Sequence, residues 1–158
     1  MSVQVNIRHL EVKDVRLLGE MPAADLRLEC RDELVHARRP LRYDITVQKV
    51  GDAILAQGRL EMTLDCECAR CLKPFEHTIE LDHWTAHLPL EGPEKTPIKD
   101  DLADLTPLIR EDILLEFPQH PLCGADCAGL PNRSNEATKQ TSQRDGSSAW
   151  SELNKLKF

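Results

Sequence analysis

Aromatic residues are scarce in this sequence, at 4% of 158 residues. The core it can build must therefore rest on Leu, Ile and Val. No apolar run reaches the roughly 18 residues needed to cross a bilayer. Met1 to Leu10 lacks the basic-then-apolar order of a secretory signal, so the chain is expected in the cytoplasm with its thiols reduced. A basic excess is missing too: the formal net charge is -7, whereas nucleic-acid-binding domains usually carry a basic face or stripe. The histidines form no HExxH pair, and there is no GxSxG, phosphate-binding glycine loop or GxGxxG, so the common hydrolase and nucleotide motifs are excluded. No residue is assigned a catalytic role, and no small-molecule substrate is expected.

Cysteine is concentrated. Of six cysteines, Cys66, Cys68 and Cys71 crowd the end of one alternating stretch, and Cys123 and Cys127 lie in a Gly/Pro-rich turn far downstream. In a reducing compartment a CxxC is a metal site or redox pair before it is a structural disulfide. Zinc takes four ligands in a tetrahedron, and thiolates two to four residues apart let one turn supply two. Cys68, Cys71, Cys123 and Cys127 satisfy that spacing, so one structural zinc is the expected cofactor. Reduced thiols without metal, and disulfide or redox use, are the alternatives. A thioredoxin-type CxxC opens a helix, whereas here Pro74 and a strand follow. Cys66 shares a strand face with Cys68 and is an alternative ligand; Cys30 reads as a small core residue.

Along the chain, Val3, Val5 and Ile7 alternate as a short strand. Leu10 to Arg39 is ambiguous: Pro22 opens either a short helix or, through Leu26, Leu28 and Cys30, a strand. Leu41, Tyr43, Ile45 and Val47 mark a strand, Gly51-Asp52 a turn, and Ile54 to Asp65 a second strand, dry at even positions and, from Gln57 on, wet at odd ones. In Phe75 to Leu88, Ile79 and Leu81 share one face and Trp84, Ala86 and Leu88 the other, which a bulge near His83 reconciles. Residues 89–100 read as a loop. Leu102, Leu105, Leu108, Ile109 and Ile113 recur at helical spacing, with Pro107 in the first turn and Pro118 and Pro121 past the end.

The expected fold is α+β: a twisted, barrel-like antiparallel sheet with one packed helix over residues 1–130. Residues 131–149 are polar and read as a disordered linker. Residues 150–158, with Trp150, Leu153 and Leu156 spaced by three, read as a short helix that forms on docking. Residues 131–158 carry a formal +2 and the remainder -9. Two basic spots, Arg38-Arg39-Pro40-Leu41-Arg42 and Arg70 with Lys73, suit phosphate contact or pairing with the protein's own carboxylates.

Cys68-Ala69-Arg70-Cys71-Leu72-Lys73-Pro74, closing a strand, resembles the C-x-R-C-L-x-P signature of the YceD family of bacterial proteins. Asp104 to Pro118 is similar to that family's acidic-apolar helix, Cys123 to Pro131 to its C-x-x-x-C-x-G-L segment, and Trp150 to Lys157 to its closing helix. The chain departs from the pattern after Gly129-Leu130, where many members carry further cysteines and this one has Pro131-Asn132. A second metal site is therefore not expected. The resemblance implies a non-enzymatic factor in large ribosomal subunit biogenesis that supports 23S ribosomal RNA accumulation or processing. Its implied partner is a ribosomal protein, large-subunit ribosomal RNA or both. One alternative is a zinc-stabilised chaperone or adaptor for a basic ribosomal protein without RNA contact, and a more remote one is a ribonuclease. The candidate partner contacts are Arg38, Arg39, Arg42, Arg70, Lys73, Trp150, Leu153 and Leu156.

Overall fold

The computed structural model describes residues 2–28 and 33–130. In chain order the elements are β1 (Gln4–Asn6), α1 (Ile7–Leu10), β2 (Val15–Met21), β3 (Val35–His36), β4 (Leu41–Val50), β5 (Ala53–Glu67), β6 (Pro74–Pro89), β7 (Ile98–Lys99), β8 (Leu102–Asp104) and α2 (Thr106–Leu115). They form the expected α+β arrangement, with the main antiparallel sheet curled into a half-barrel.

β5 is the spine of that sheet. One edge pairs with β4 from Ala53 to Glu61 and then with β3 at Asp65 and Cys66; the other pairs with β6 along its length. β2 lies outside β4. The alternation of β5 does what a half-buried strand requires: Ile54, Ala56, Leu60, Met62, Leu64 and Cys66 are buried, and their polar neighbours face outward. A separate three-stranded sheet, β1-β8-β7, sits beside it.

The bulge near His83 is present. Gly58 pairs with Trp84 and Leu60 with Leu81, so Arg59 faces both Asp82 and His83. The extra residue moves the inward positions of β6 from Ile79 and Leu81 to Trp84, Ala86 and Leu88. Opposite it, Gly58 lets β4 approach: a Cβ there would lie 2.0 Å from the Asp44 carbonyl oxygen and 2.7 Å from the Ile45 Cα.

α2 begins at Thr106 with Pro107 in its first turn, where a missing N–H costs no hydrogen bond. Asp104 accepts from the Thr106 N–H at 2.9 Å, and the Thr106 hydroxyl accepts from the Val3 N–H at 2.9 Å. Ile109 and Ile113 are fully buried in the sheet's core cluster, each worth about 1.5–3 kcal/mol of apolar transfer. Trp84 Nε1 donates to Asp112 at 2.6 Å, pinning the helix to β6.

Four details of the sequence reading are corrected. Pro22 to Arg27 forms neither helix nor strand but consecutive turns, with Arg27 at φ 48, while Leu26 and Leu28 still reach the core. β7 (Ile98–Lys99) lies within the stretch read as a loop, and β2 resolves part of the ambiguous segment. Leu102 belongs to β8 rather than to the helix, because β1 offers it a partner. Ile7 opens a four-residue helix, so the opening strand is shorter than its alternation suggests. Cys30, the linker 131–149 and the segment 150–158 lie outside the described residues.

Candidate metal centre

β5 and β6 are joined by residues 68–73, so the first thiol turn is the tip of the longest hairpin in the sheet. The Cys68 N–H donates to Lys73 O at 2.9 Å and the Leu72 N–H to Cys68 O at 2.8 Å, which closes the loop. Closure forces Leu72 to φ 59, a left-handed conformation that a leucine seldom adopts. The second turn follows α2, where Pro118 and Pro121 stop helical continuation and the Cys127 N–H donates to Gly124 O at 3.3 Å. The two loops meet through main chain: the Ala69 N–H donates to Pro121 O at 2.8 Å, and the Arg70 guanidinium donates to Cys127 O at 3.4 Å.

These contacts gather Cys68, Cys71, Cys123 and Cys127, whose sulfurs all lie within 4.8 Å of one another. Cys68 and Cys127 are 3.7 Å apart and Cys71 and Cys123 3.6 Å. Thiolates about 2.3 Å from a tetrahedral zinc sit about 3.8 Å from each other, so the donor set and its spacing fit that ion. Cys68 is fully buried and Cys123 exposed, a gradient from protein interior to surface. Cys66 is not part of the group. It points into the core two residues earlier, because Cys68 has left the strand, and this corrects the expectation that it substitutes for Cys68.

The thiols differ in acidity. Cys68 is pulled down to about 6, first by the Cys123 backbone N–H and then by that of Cys71, against the opposing effect of burial. Cys123 is pushed up to about 12, first by its contact with the Cys71 thiol and then by Cys127 and Cys68. One thiolate is thus favoured and a further one resisted, since like charges crowd the same few ångströms. A divalent cation held there would supply the positive charge that lets all four ionise together.

The basic residues fall into two groups. Arg39 pairs with Asp65 at 3.2 Å and with Glu76, and Arg42 pairs with Glu20 at 2.9 Å and lies 3.9 Å from Glu61. The alternative of internal pairing is what these two adopt. Arg70 turns to the second thiol loop, and Lys73 and Arg38 are exposed. Trp150, Leu153 and Leu156 lie outside the described residues. A cavity of about 770 Å³ bounded by His87, Leu88, Leu102 and Leu108 lies at the far end of β6 from the thiols.

Sequence reasoning did not find Arg59, which contacts Glu61, Glu80 and Asp82 at 3.0–3.6 Å, nor the conformation of Leu72. The first depends on cross-strand register and the second on loop closure, and neither leaves a mark in local spacing.

The hairpin tip of a curled sheet thus lies against the segment leaving α2, with four thiols gathered at the junction. The family model described as Large ribosomal RNA subunit accumulation protein YceD matches residues 56–157, and the chain belongs to that family. An uncharacterized protein of Mycobacterium tuberculosis is 31% identical over 99 residues, which cover 57% of this chain and 47% of the relative. An uncharacterized protein of Mycobacterium leprae is 24% identical over 144 residues, 78% of this chain and 66% of the relative. The chain spans about half the length of the first of these. No solved structure matches the chain. Among the described residues no helix is long and apolar enough to cross a membrane.

Proposed function

We propose that the protein is a non-enzymatic cytoplasmic factor in large ribosomal subunit biogenesis that supports 23S ribosomal RNA accumulation by holding a ribosomal component. The observation that carries this reading is the matched family's description, joined to a site built as a clamp. One zinc held by Cys68, Cys71, Cys123 and Cys127 would tie the β5–β6 hairpin tip to the segment leaving α2. Metal binding then acts as folding energy for a loop junction, not as chemistry on a substrate.

Between the two partner classes, we favour a basic ribosomal protein. Arg39, Arg42 and Arg59 are engaged by carboxylates, which leaves an acidic body rather than a phosphate-binding face. In this reading Trp150, Leu153 and Leu156, which lie outside the described residues, are the apolar anchors to the partner. RNA contact through Arg38, Arg70 and Lys73 is the second reading, because these three have no carboxylate partner among the described residues.

Affinity capture from cells, with and without ribonuclease, tests the choice. Ribosomal protein retained after digestion supports the protein partner; loss of all ribosomal material on digestion contradicts it and favours RNA. Depletion of the chain should lower 23S ribosomal RNA, and unchanged RNA levels would remove the assembly role.

A further inference from the structure

Leu72 stands at the hairpin tip with 54% of its surface exposed, in a left-handed conformation that glycine would adopt without strain. An exposed leucine there contributes nothing to the core and opposes its own backbone. Leu122, adjacent to the Pro121 that binds Ala69, is 37% exposed, and Leu130, next to the Gly129 packed on Arg70, is 61% exposed. Three exposed leucines thus lie on the two loops that meet at the thiols, and exposed apolar residues grouped together mark contact sites.

The strands that carry this tip continue into a carboxylate ladder. Asp65 stands directly opposite Glu76 and Glu61 opposite Glu80. Like charges in such positions repel, and each pair is bridged by one arginine, Arg39 and Arg59 respectively. Glu67 at the strand end is exposed, and Asp82 continues the row beyond. On this part of the outer face six carboxylates, Glu61, Asp65, Glu67, Glu76, Glu80 and Asp82, stand against Arg39 and Arg59, with Asp82 3.0 Å from Arg59 and Arg42 3.9 Å from Glu61.

We infer that the hairpin tip and the outer face of β5–β6 form one docking surface for a basic amphipathic segment of a protein. Its apolar residues cover Leu72, Leu122 and Leu130, and its Lys or Arg side chains meet Glu67, Glu76, Glu80 and Asp82. Leu72 is the central contact, and its strained backbone is retained for binding rather than for folding. The inference rests on the protein-partner reading above and adds the surface and the chemistry of the segment.

The test uses the full-length chain, immobilised and exposed in parallel to the RNA-free proteins of purified large ribosomal subunits and to deproteinised 23S ribosomal RNA. The variants are L72G, E76Q/E80Q and, as a distant exposed leucine, L18S. Wild type and L18S should retain a basic protein equally. L72G should retain about tenfold less of it while its thermal midpoint stays level or rises, and E76Q/E80Q should retain less and lose salt sensitivity. Retention by L72G equal to wild type overturns this surface and leaves the protein-partner reading standing. Retention of RNA and of no protein, or of neither, overturns both.

Discussion

The Ala69 N–H and the Pro121 carbonyl meet at 2.8 Å, joining the first thiol turn to the approach of the second through main chain alone. A metal held by the four thiols would reinforce the same junction that this main-chain bond makes.

Serine at Cys68, Cys71, Cys123 or Cys127 should each lower zinc retention at least tenfold, because a hydroxyl is a poor replacement for a thiolate ligand. Cys66→Ser should leave the metal content unchanged. It should instead lower stability by about 1–3 kcal/mol, since it places a hydroxyl in the core. Metal analysis and denaturant melts of the five variants separate the two effects, and equal zinc loss from Cys66→Ser would contradict the assignment.

Gly58→Ala should destabilise the sheet by about 1–3 kcal/mol or more. The obstacle is backbone: the added methyl would lie 2.0 Å from the Asp44 carbonyl oxygen, and no rotamer change relieves it. Gly19→Ala provides the contrast, since its nearest neighbour is the Tyr43 hydroxyl at 2.7 Å, the end of a side chain able to move. Thermal unfolding of both should place Gly58→Ala well below Gly19→Ala; equal midpoints would contradict the close approach of β4 and β5.

Asp112→Ala removes the acceptor of the Trp84 indole N–H, 2.6 Å away. A buried donor left without a partner costs about 1–3 kcal/mol, whereas Asp112→Asn retains an oxygen acceptor and should cost less. Denaturant melts followed by far-ultraviolet circular dichroism read both variants. Identical losses for Ala and Asn would mean that the bond does not pin α2.

Asp44 has its carboxyl held below the usual range by the hydrogen bond from Arg16, paired at 2.6–2.7 Å. A depressed carboxyl stabilises the fold above its unfolded pKa, and the contribution is lost as pH falls through the folded value. Both groups are exposed, so the effect on overall stability is small. A carboxyl-carbon NMR titration should show Asp44 below an ordinary aspartate, moving up in Arg16→Gln; an unchanged titration in that variant would contradict the pairing.

The parts of this fold that were legible beforehand are those in which neighbours along the chain decide the outcome. From Ala56 on the dry and wet positions of β5 alternate, the face change between Leu81 and Trp84 marks the bulge, and Pro107 locates the helix start. The thiol spacings announced two ligand pairs, and closure of both pairs into one group followed the expected pattern. What escaped depended on distant partners. Leu102 to Asp104 has helical spacing, yet β1, far away in sequence, recruits it as a strand. Leu18 is apolar but exposed, which obscures the alternation of β2. The internal pairing of Arg39 and the ladder bridged by Arg59 require the register of strands that no local pattern records.

The central claim is that four thiols from two distant turns hold one metal ion and so fix the scaffold. Native mass spectrometry with elemental analysis, on protein purified without added metal and without strong chelators, measures it directly. The account predicts one zinc per chain, released by acid as protons displace the metal from the thiolates, and lost from a Cys123→Ser/Cys127→Ser chain. Substoichiometric zinc with four freely titrating thiols, or full zinc in that double variant, would contradict it.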